Sequence, residues 1–317
     1  MEIGTPPRVW DAHVCLPLYG NGNLAAIHRH KQAGFTDISV NLGMDWNTRA
    51  EIDATAAQFS QWFRSTAGYS LIADIDLSTN DASRHDVVVA FDMEGISAFE
   101  GDLSRVQEYV ELGVRQVQLT YNLDNEAGSG CLGLNTGLTN FGKEVVAELN
   151  AHGVVVDCSH ASYQTALDII DVSAKPVIFS HSNCLSLFEH PRNIPDELIV
   201  ACAEKGGVIG INGIGKFVGA GDLSVKEFCA HILHVVQLAG DEHVGLGLDY
   251  VYDLEEMRQI FIDRPDIFPG ADPDQQTEFV PPEQLSEIRQ ELESLGMDSG
   301  SIKKILGENF ARVASKN

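Results

Sequence analysis

The chain has 317 residues, 44% of them apolar, which is enough for a sizeable core and too much for a disordered segment. Its 21 basic and 46 acidic residues give a formal charge of −25, which argues against nucleic acid or an anionic membrane surface as a partner. No run approaches the roughly 18 apolar residues of a membrane span, and the ends read as neither a secretory leader nor a lipid-anchor signal.

Eight strand-like segments recur, and helical patterns separate most of them. The first covers 8–18, R-V-W-D-A-H-V-C-L-P-L, with a helix expected near Leu24 to Ala33. The second covers 37–43 and precedes a long helix from Arg49 to Ser65. The third, V-V-V-A-F-D-M-E-G (87–95), is followed by a helix from about Leu103 to Leu112, and the fourth covers 114–122. A glycine-rich stretch over 123–138 comes next; so long a loop in a compact domain is usually functional, and it is expected to cover an active site. Thr139 is placed to cap the following helix, which Gly153 ends.

The fifth and sixth strands are V-V-V-D-C-S-H, ending at His160, and P-V-I-F-S-H, ending at His181. Between them Ala166, Leu167, Ile169 and Ile170 suit a short crossover helix over Tyr163 to Val172, and parallel strands joined this way bring both histidines to one rim. The seventh strand covers 207–214 and the eighth 243–250. A Pro- and Asp-rich stretch from Asp263 to Pro282 then leads to closing helices around Glu283–Leu295 and Ser301–Leu306. Eight apolar strands with intervening helices predict a parallel (β/α)₈ TIM barrel over an open sheet. The whole of 1–317 reads as one barrel domain, with an active-site loop near 123–138 and C-terminal helices from about 281. The six cysteines, at 15, 131, 158, 184, 202 and 229, are scattered through these elements and are expected to stay reduced in the cytoplasm.

Chemistry on such a barrel sits at the C-terminal rim of the strands. His13, Cys15, Glu94, Tyr121, His160, His181 and Asp249 all fall at or just past predicted strand ends. Residues two apart on a strand share a face, so Asp11, His13 and Cys15 are expected to point the same way. Histidines with carboxylates and an open position make a zinc site, Glu94 is placed to bridge two ions, and Asp249 can hold a water and move its proton. Asp11 and Asp157 suit partners that orient a ligating histidine. Each residue also has a structural reading: a lone strand-end histidine is more often hydrogen-bonded structure, and Cys15 can be a small buried apolar residue. His28, His30, His85, His152, His190, His231, His234 and His243 are assigned to that structural class. What lifts the first group is that several ligand-type residues fall on one rim.

With these residues in view, the chain resembles the membrane (renal) dipeptidase family of zinc peptidases. The resemblance runs from Asp11 nearly to the C-terminus, through D-A-H-V-C-L-P (11–17), M-E-G (93–95), G-V-R-Q-V-Q-L-T-Y-N (113–122), G-L-T-N-F-G-K-E-V-V (137–146), D-C-S-H (157–160), F-S-H-S-N (179–183), P-R-N-I-P-D (191–196), V-G-L-G-L-D (244–249) and G-E-N-F-A-R-V (307–313). It implies a TIM barrel of the metal-dependent hydrolase type with a pair of zinc ions, hydrolysing dipeptides and some related amides, and dimeric in many members. It further implies that His13 binds the first zinc, Glu94 bridges, and His160 and His181 bind the second. By the same resemblance Asp249 lies beside the bridging water and Arg192 holds the substrate's terminal carboxylate. Taken alone, an arginine in a charged loop reads as surface, although a planar guanidinium does suit a carboxylate.

Two positions depart from the family pattern. Cys15 stands where aspartate is usual, and the fourth strand ends L-T-Y, with Tyr121 where histidine is usual. As a thiolate, Cys15 keeps the negative charge and binds zinc at about 2.3 Å; as a neutral thiol it leaves the first metal short of ligands, and the site then holds one ion. Tyr121 can donate a hydrogen bond to a substrate oxygen but carries no positive charge. The leading expectation is a zinc-dependent dipeptidase acting through metal-activated water on a small-molecule substrate. The alternatives are a hydrolase of another amide or a lactam on the same barrel, for which Cys15 and Tyr121 are adaptations, and a non-catalytic binding relative. Retention of Glu94, His160, His181, Asp249 and Arg192 speaks against the last.

Overall fold

Strands built from β-branched runs pair side by side around a closed ring in the computed structural model, which describes residues 7–19, 22–75, 86–221 and 223–317. In chain order the strands are β1 (Trp10–Cys15), β2 (Asp37–Met44), β3 (Tyr69–Leu71), β4 (Val87–Glu94), β5 (Val114–Gln118), β6 (Val155–Asp157), β7 (Ile178–Phe179), β8 (Val208–Asn212), β9 (Val244–Gly247) and β10 (Tyr250–Val251). Eight close the ring in the order β1-β2-β4-β5-β6-β7-β8-β9, all parallel, and Asp11 opposite Leu246 joins β9 back to β1. The (β/α)₈ barrel expected from the alternating pattern is therefore the fold. Two further strands escape that pattern because they are too short for any periodicity: β3 pairs with β4 at Val87–Val89, and β10 pairs with Val14 and Cys15.

The helices are α1 (His28–Ala33), α2 (Arg49–Ser65), α3 (Arg105–Leu112), α4 (Asn140–Ala151), α5 (Tyr163–Val172), α6 (Asp196–Glu204), α7 (Gly215–Val218), α8 (Val225–Ala239), α9 (Leu254–Asp263), α10 (Leu285–Ser294), α11 (Ser299–Lys303) and α12 (Asn309–Ala314). Their starts are written in the sequence. Thr48 with Glu51, and Ser224 with Glu227, form capping boxes at α2 and α8, while the hydroxyls of Thr139 and Ser162 accept from the first turns of α4 and α5. The apolar faces of these helices cover the outside of the barrel, and Phe59, Phe63, Phe91 and Phe228 are fully buried there.

The opposite end of the barrel from the strand C-termini is sealed. Ala12, Val155, Ile178 and Val208, from four strands, pack with Phe310 and Val313 of α12. Phe310 seats there because β9 offers Gly245: a Cβ at that position would lie 2.4 Å from the ring. With that end plugged, the other rim is where a ligand can enter. Among the described residues, no helix is long and apolar enough to cross a membrane.

Candidate active site

Five strand ends deliver the cluster that the sequence placed on one rim. His13 and Cys15 come from β1, Glu94 from β4, His160 and His181 follow β6 and β7, and Asp249 follows β9. Local backbone turns aim several of them. His160 and Asp249 adopt left-handed φ of +63° and +54°, a conformation rare for residues with side chains, and Asn122 does so at +55°. Strained φ values of this kind collect where side chains must converge.

Converge they do. The Nε2 atoms of His160, His181 and His13 lie 3.2, 3.5 and 3.6 Å from the same Glu94 oxygen, Oε1. His160 Nε2 and His181 Nε2 are 3.0 Å apart. On the β1 side, His13 Nε2, Cys15 Sγ and Asp249 Oδ1 form a triangle with edges of 3.5, 3.5 and 3.7 Å. His13 thus belongs to two donor groups, one with Glu94 and His181 and one with Cys15 and Asp249.

The partners of the histidines decide which nitrogen carries the proton. His160 Nδ1 lies 2.7 Å from Asn122 Oδ1, an acceptor only, while Asn122 Nδ2 donates to the Ile267 carbonyl. His181 Nδ1 lies 2.7 Å from Ser180 Oγ, whose own hydroxyl donates to Asp157. Both Nδ1 atoms therefore donate, and both Nε2 atoms keep a bare lone pair. Two bare lone pairs 3.0 Å apart repel, and both face a carboxylate. His13 Nδ1 faces Asp92 Oδ1 at 3.1 Å without hydrogen-bond alignment, and His13 Nδ1 and Asp92 Oδ2 are left unsatisfied.

The protonation tendencies tell the same story. Burial holds His160 and His181 well below the usual histidine range, helped by the positive charge of Arg192. Burial pushes Glu94 up to about 8, with Asp249 and Asp92 adding to what His13 offsets, and it raises Asp249 as well. Burial also disfavours a charged His13, but Asp92, Glu94 and Cys15 outweigh it and hold its pKa above the usual value. The thiol of Cys15 is pushed up by burial and by Asp249, against the pull of His13.

This donor set fits a divalent cation. It offers aligned imidazole lone pairs, a shared carboxylate and a soft sulfur, with too little positive charge among the side chains to balance them. Zinc–sulfur and zinc–nitrogen bonds of about 2.3 and 2.0 Å at a tetrahedral angle separate their donors by about 3.5 Å, which is the Cys15–His13 spacing.

The cluster opens into a cavity of about 420 Å³. Tyr121 lies against it, its ring stacked on His160 with centroids 4.1 Å apart and edge-on to Trp46 and Phe268. Burial and the nearby acids hold the Tyr121 phenol above its usual range, so it is a donor. Arg192 also lines the cavity and is buried, contrary to the surface position its charged loop suggests by itself. The reason is local: Asn193 Nδ2 ties that loop to the Phe188 and Phe217 carbonyls at 2.8 and 2.9 Å. Arg192 donates to the His181 carbonyl at 3.2 Å, and among the described residues no carboxylate lies within ion-pair distance of it. Asn212 Nδ2 holds one Asp249 oxygen at 2.8 Å, leaving the other towards Cys15 and His13.

The remaining candidates separate from the cluster. Asp11 accepts from the backbone of Leu248 and His13 and pairs with buried His30, which also meets the Tyr252 hydroxyl, so Asp11 braces β1 against α1. Asp157 reaches the His181 ring through the Ser180 hydroxyl rather than directly. Of the histidines assigned to structure, His231 bridges the Cys184 amide and the Val218 carbonyl, His85 lies outside the described residues, and His190 reaches the cavity wall. From the loop near 123–138, Leu132 lines the cavity; much of its wall comes from α9 and the segment after it, including Met257, Phe261 and Phe268. Asn122, Ser180, Asn212 and Lys216 were not legible as site residues, since each is a common residue type placed by contacts distant in sequence.

A family model described as membrane dipeptidase (peptidase family M19) matches residues 27–260. Two uncharacterized dipeptidases of Schizosaccharomyces pombe are 36% identical over 172 residues, covering 52% of this chain and 41% of that protein, and 28% identical over 225 residues, covering 66% and 54%. The chain thus spans about half the length of these curated relatives. An amidohydrolase from Pseudomonas aeruginosa shares the fold with a TM-score of 0.86 at 23% identity, over 98% of this chain and 96% of that one. A metallo peptidase from Rhodobacter sphaeroides, liganded with a phosphinate mimic of the dipeptide L-Ala-D-Ala, shares it at 0.78 and 17%, over 98% and 99%.

Proposed function

The chain belongs to the membrane dipeptidase family, and from that premise we propose that it hydrolyses the peptide bond of dipeptides. Zinc is the fitting metal: His13 and Cys15 would hold one ion, with Asp249 facing it, and His160 and His181 a second, with Glu94 between them. When bound, zinc supplies a Lewis acid and lowers the pKa of a bound water towards about 7.

The protein's own residues do the rest. Arg192 pairs with the substrate's terminal carboxylate, a role supported by its burial at the cavity without an acidic partner among the described residues. Asp249, with one oxygen fixed by Asn212, uses the other to orient the attacking water and pass its proton to the leaving amine. Tyr121, locked between His160, Trp46 and Phe268, offers its hydroxyl proton to a substrate oxygen. The apolar wall of Met257, Phe261 and Phe268 keeps bulk water away. We place the protein in the cytoplasm, where its six free thiols stay reduced.

The observation that carries the reading is the buried, unpaired Arg192 beside the converging imidazoles. The test is hydrolysis of a dipeptide against the same dipeptide amidated at its C-terminus, by wild type and Arg192→Met. The dipeptide is expected to be cleaved, with amidation or Arg192→Met each lowering kcat/KM about 10- to 100-fold. Equal cleavage of both forms would favour the second reading, a hydrolase of other amides or lactams, for which Tyr121 in place of histidine is the supporting observation.

A further inference from the structure

The cavity holds a second cation that the proposed chemistry does not use. Lys216 of α7 lines it beside Arg192. Its ammonium sits 5.3 Å from the centre of the Phe217 ring and 5.1 Å from that of Phe261, and the Arg192 guanidinium lies 5.8 Å from the same Phe217 ring. Neither cation has a carboxylate within ion-pair distance among the described residues.

The acids lining the cavity are already engaged. Asp253 caps α9 by accepting from the Glu255 and Glu256 amides. Glu256 accepts from the Leu18 and Tyr19 amides, and Asp272 from the Asp274 amide. Glu94 and Asp249 belong to the donor cluster. The backbone on either side of Lys216 is held: the Asn193 side chain bonds the Phe217 carbonyl, and Gly215 at the start of α7 donates to the Glu278 carbonyl at 2.9 Å. The neighbouring His190 registers both charges, since burial first, and then Arg192 and Lys216, push its pKa down to about 4. Arg192 and Lys216 put two positive charges on one cavity that Glu94, Asp249, Asp253, Glu256 and Asp272 also line, so a ligand carrying two suitably spaced negative groups can pair with both cations. An ordinary dipeptide brings a single carboxylate.

We propose that Lys216 is a specificity residue that receives a second carboxylate, carried by the side chain of the residue whose terminal carboxylate Arg192 holds. The favoured substrates are then dipeptides ending in aspartate or glutamate. This rests on the dipeptidase reading above. The phenyl faces of Phe217 and Phe261 flank the ammonium of the exposed Lys216 side chain and favour a cation there.

The test compares Ala-Glu with the isosteric, neutral Ala-Gln, using zinc-loaded wild type and Lys216→Met. Wild type is expected to favour Ala-Glu in kcat/KM by about 10- to 100-fold, and Lys216→Met to erase most of that preference by lowering Ala-Glu far more than Ala-Gln. Equal treatment of the two dipeptides by wild type, or an equal fall for both in Lys216→Met, overturns the proposal. Should neither dipeptide be cleaved, the dipeptidase reading fails, and calorimetry with free glutamate and glutamine decides the role of Lys216. Tighter binding of glutamate that is lost in Lys216→Met supports it, and equal binding overturns it.

Discussion

The two halves of the donor cluster are built differently. On the β6–β7 side, His160 and His181 arrive with their tautomers dictated: Asn122 receives one Nδ1 proton, and Ser180, backed by buried Asp157, receives the other. On the β1–β9 side, His13, Cys15 and Asp249 stand at bonding distances from one another, but His13 Nδ1 lacks an aligned acceptor and the Cys15 thiol resists ionisation. The first half is pre-set for a cation by neutral hydrogen bonds. In the proposed site the second half would need the cation itself to draw the proton from sulfur. Of the two positions where the sequence resemblance breaks, Cys15 stands on this second side and Tyr121 stacks on His160 of the first.

Substitutions can break or sharpen this contrast. The largest loss is expected for Asp249→Ala, with turnover of a dipeptide falling about 10²–10⁴-fold while circular dichroism stays that of a folded barrel; full activity would remove Asp249 from proton transfer. Next come Asn122→Ala and Ser180→Ala, each expected to weaken zinc binding about 10- to 100-fold in a chelator competition. If neither changes zinc affinity, the hydrogen-bonded tautomers of the β6–β7 half do not matter and the contrast fails. The smallest effect on the metal is expected from Phe310→Ala, at the sealed end of the barrel. It should cost about 3–5 kcal/mol in denaturant unfolding and leave zinc affinity unchanged; a matching loss of zinc would mean that the plug also shapes the rim.

The same contrast explains what could be read from the residues alone. Rim positions are legible because a strand's end is marked by its apolar run, as in V-V-V-D-C-S-H, so His13, Glu94, His160, His181 and Asp249 can be gathered from the residues alone. Helices with a capping hydroxyl and an apolar stripe were equally plain: α2 and α5 run over the expected Arg49–Ser65 and Tyr163–Val172. What escaped depends on long-range contact. Asn122 matters because the chain returns His160 to it 38 residues later. Lys216 matters because α9 brings Phe261 over it. Arg192 is buried in a loop that its neighbour Asn193 ties to the Phe188 and Phe217 carbonyls. Asp11, two residues from His13, serves His30 and the backbone just past β9, at Leu248.

The central claim is a paired metal site completed by sulfur, and zinc content per chain in wild type, Cys15→Ser and Cys15→Asp tests it most directly. About two zinc ions in wild type, falling towards one in Cys15→Ser and recovering in Cys15→Asp, is the predicted result. About one ion in all three would contradict it, making Cys15 a bystander to metal binding.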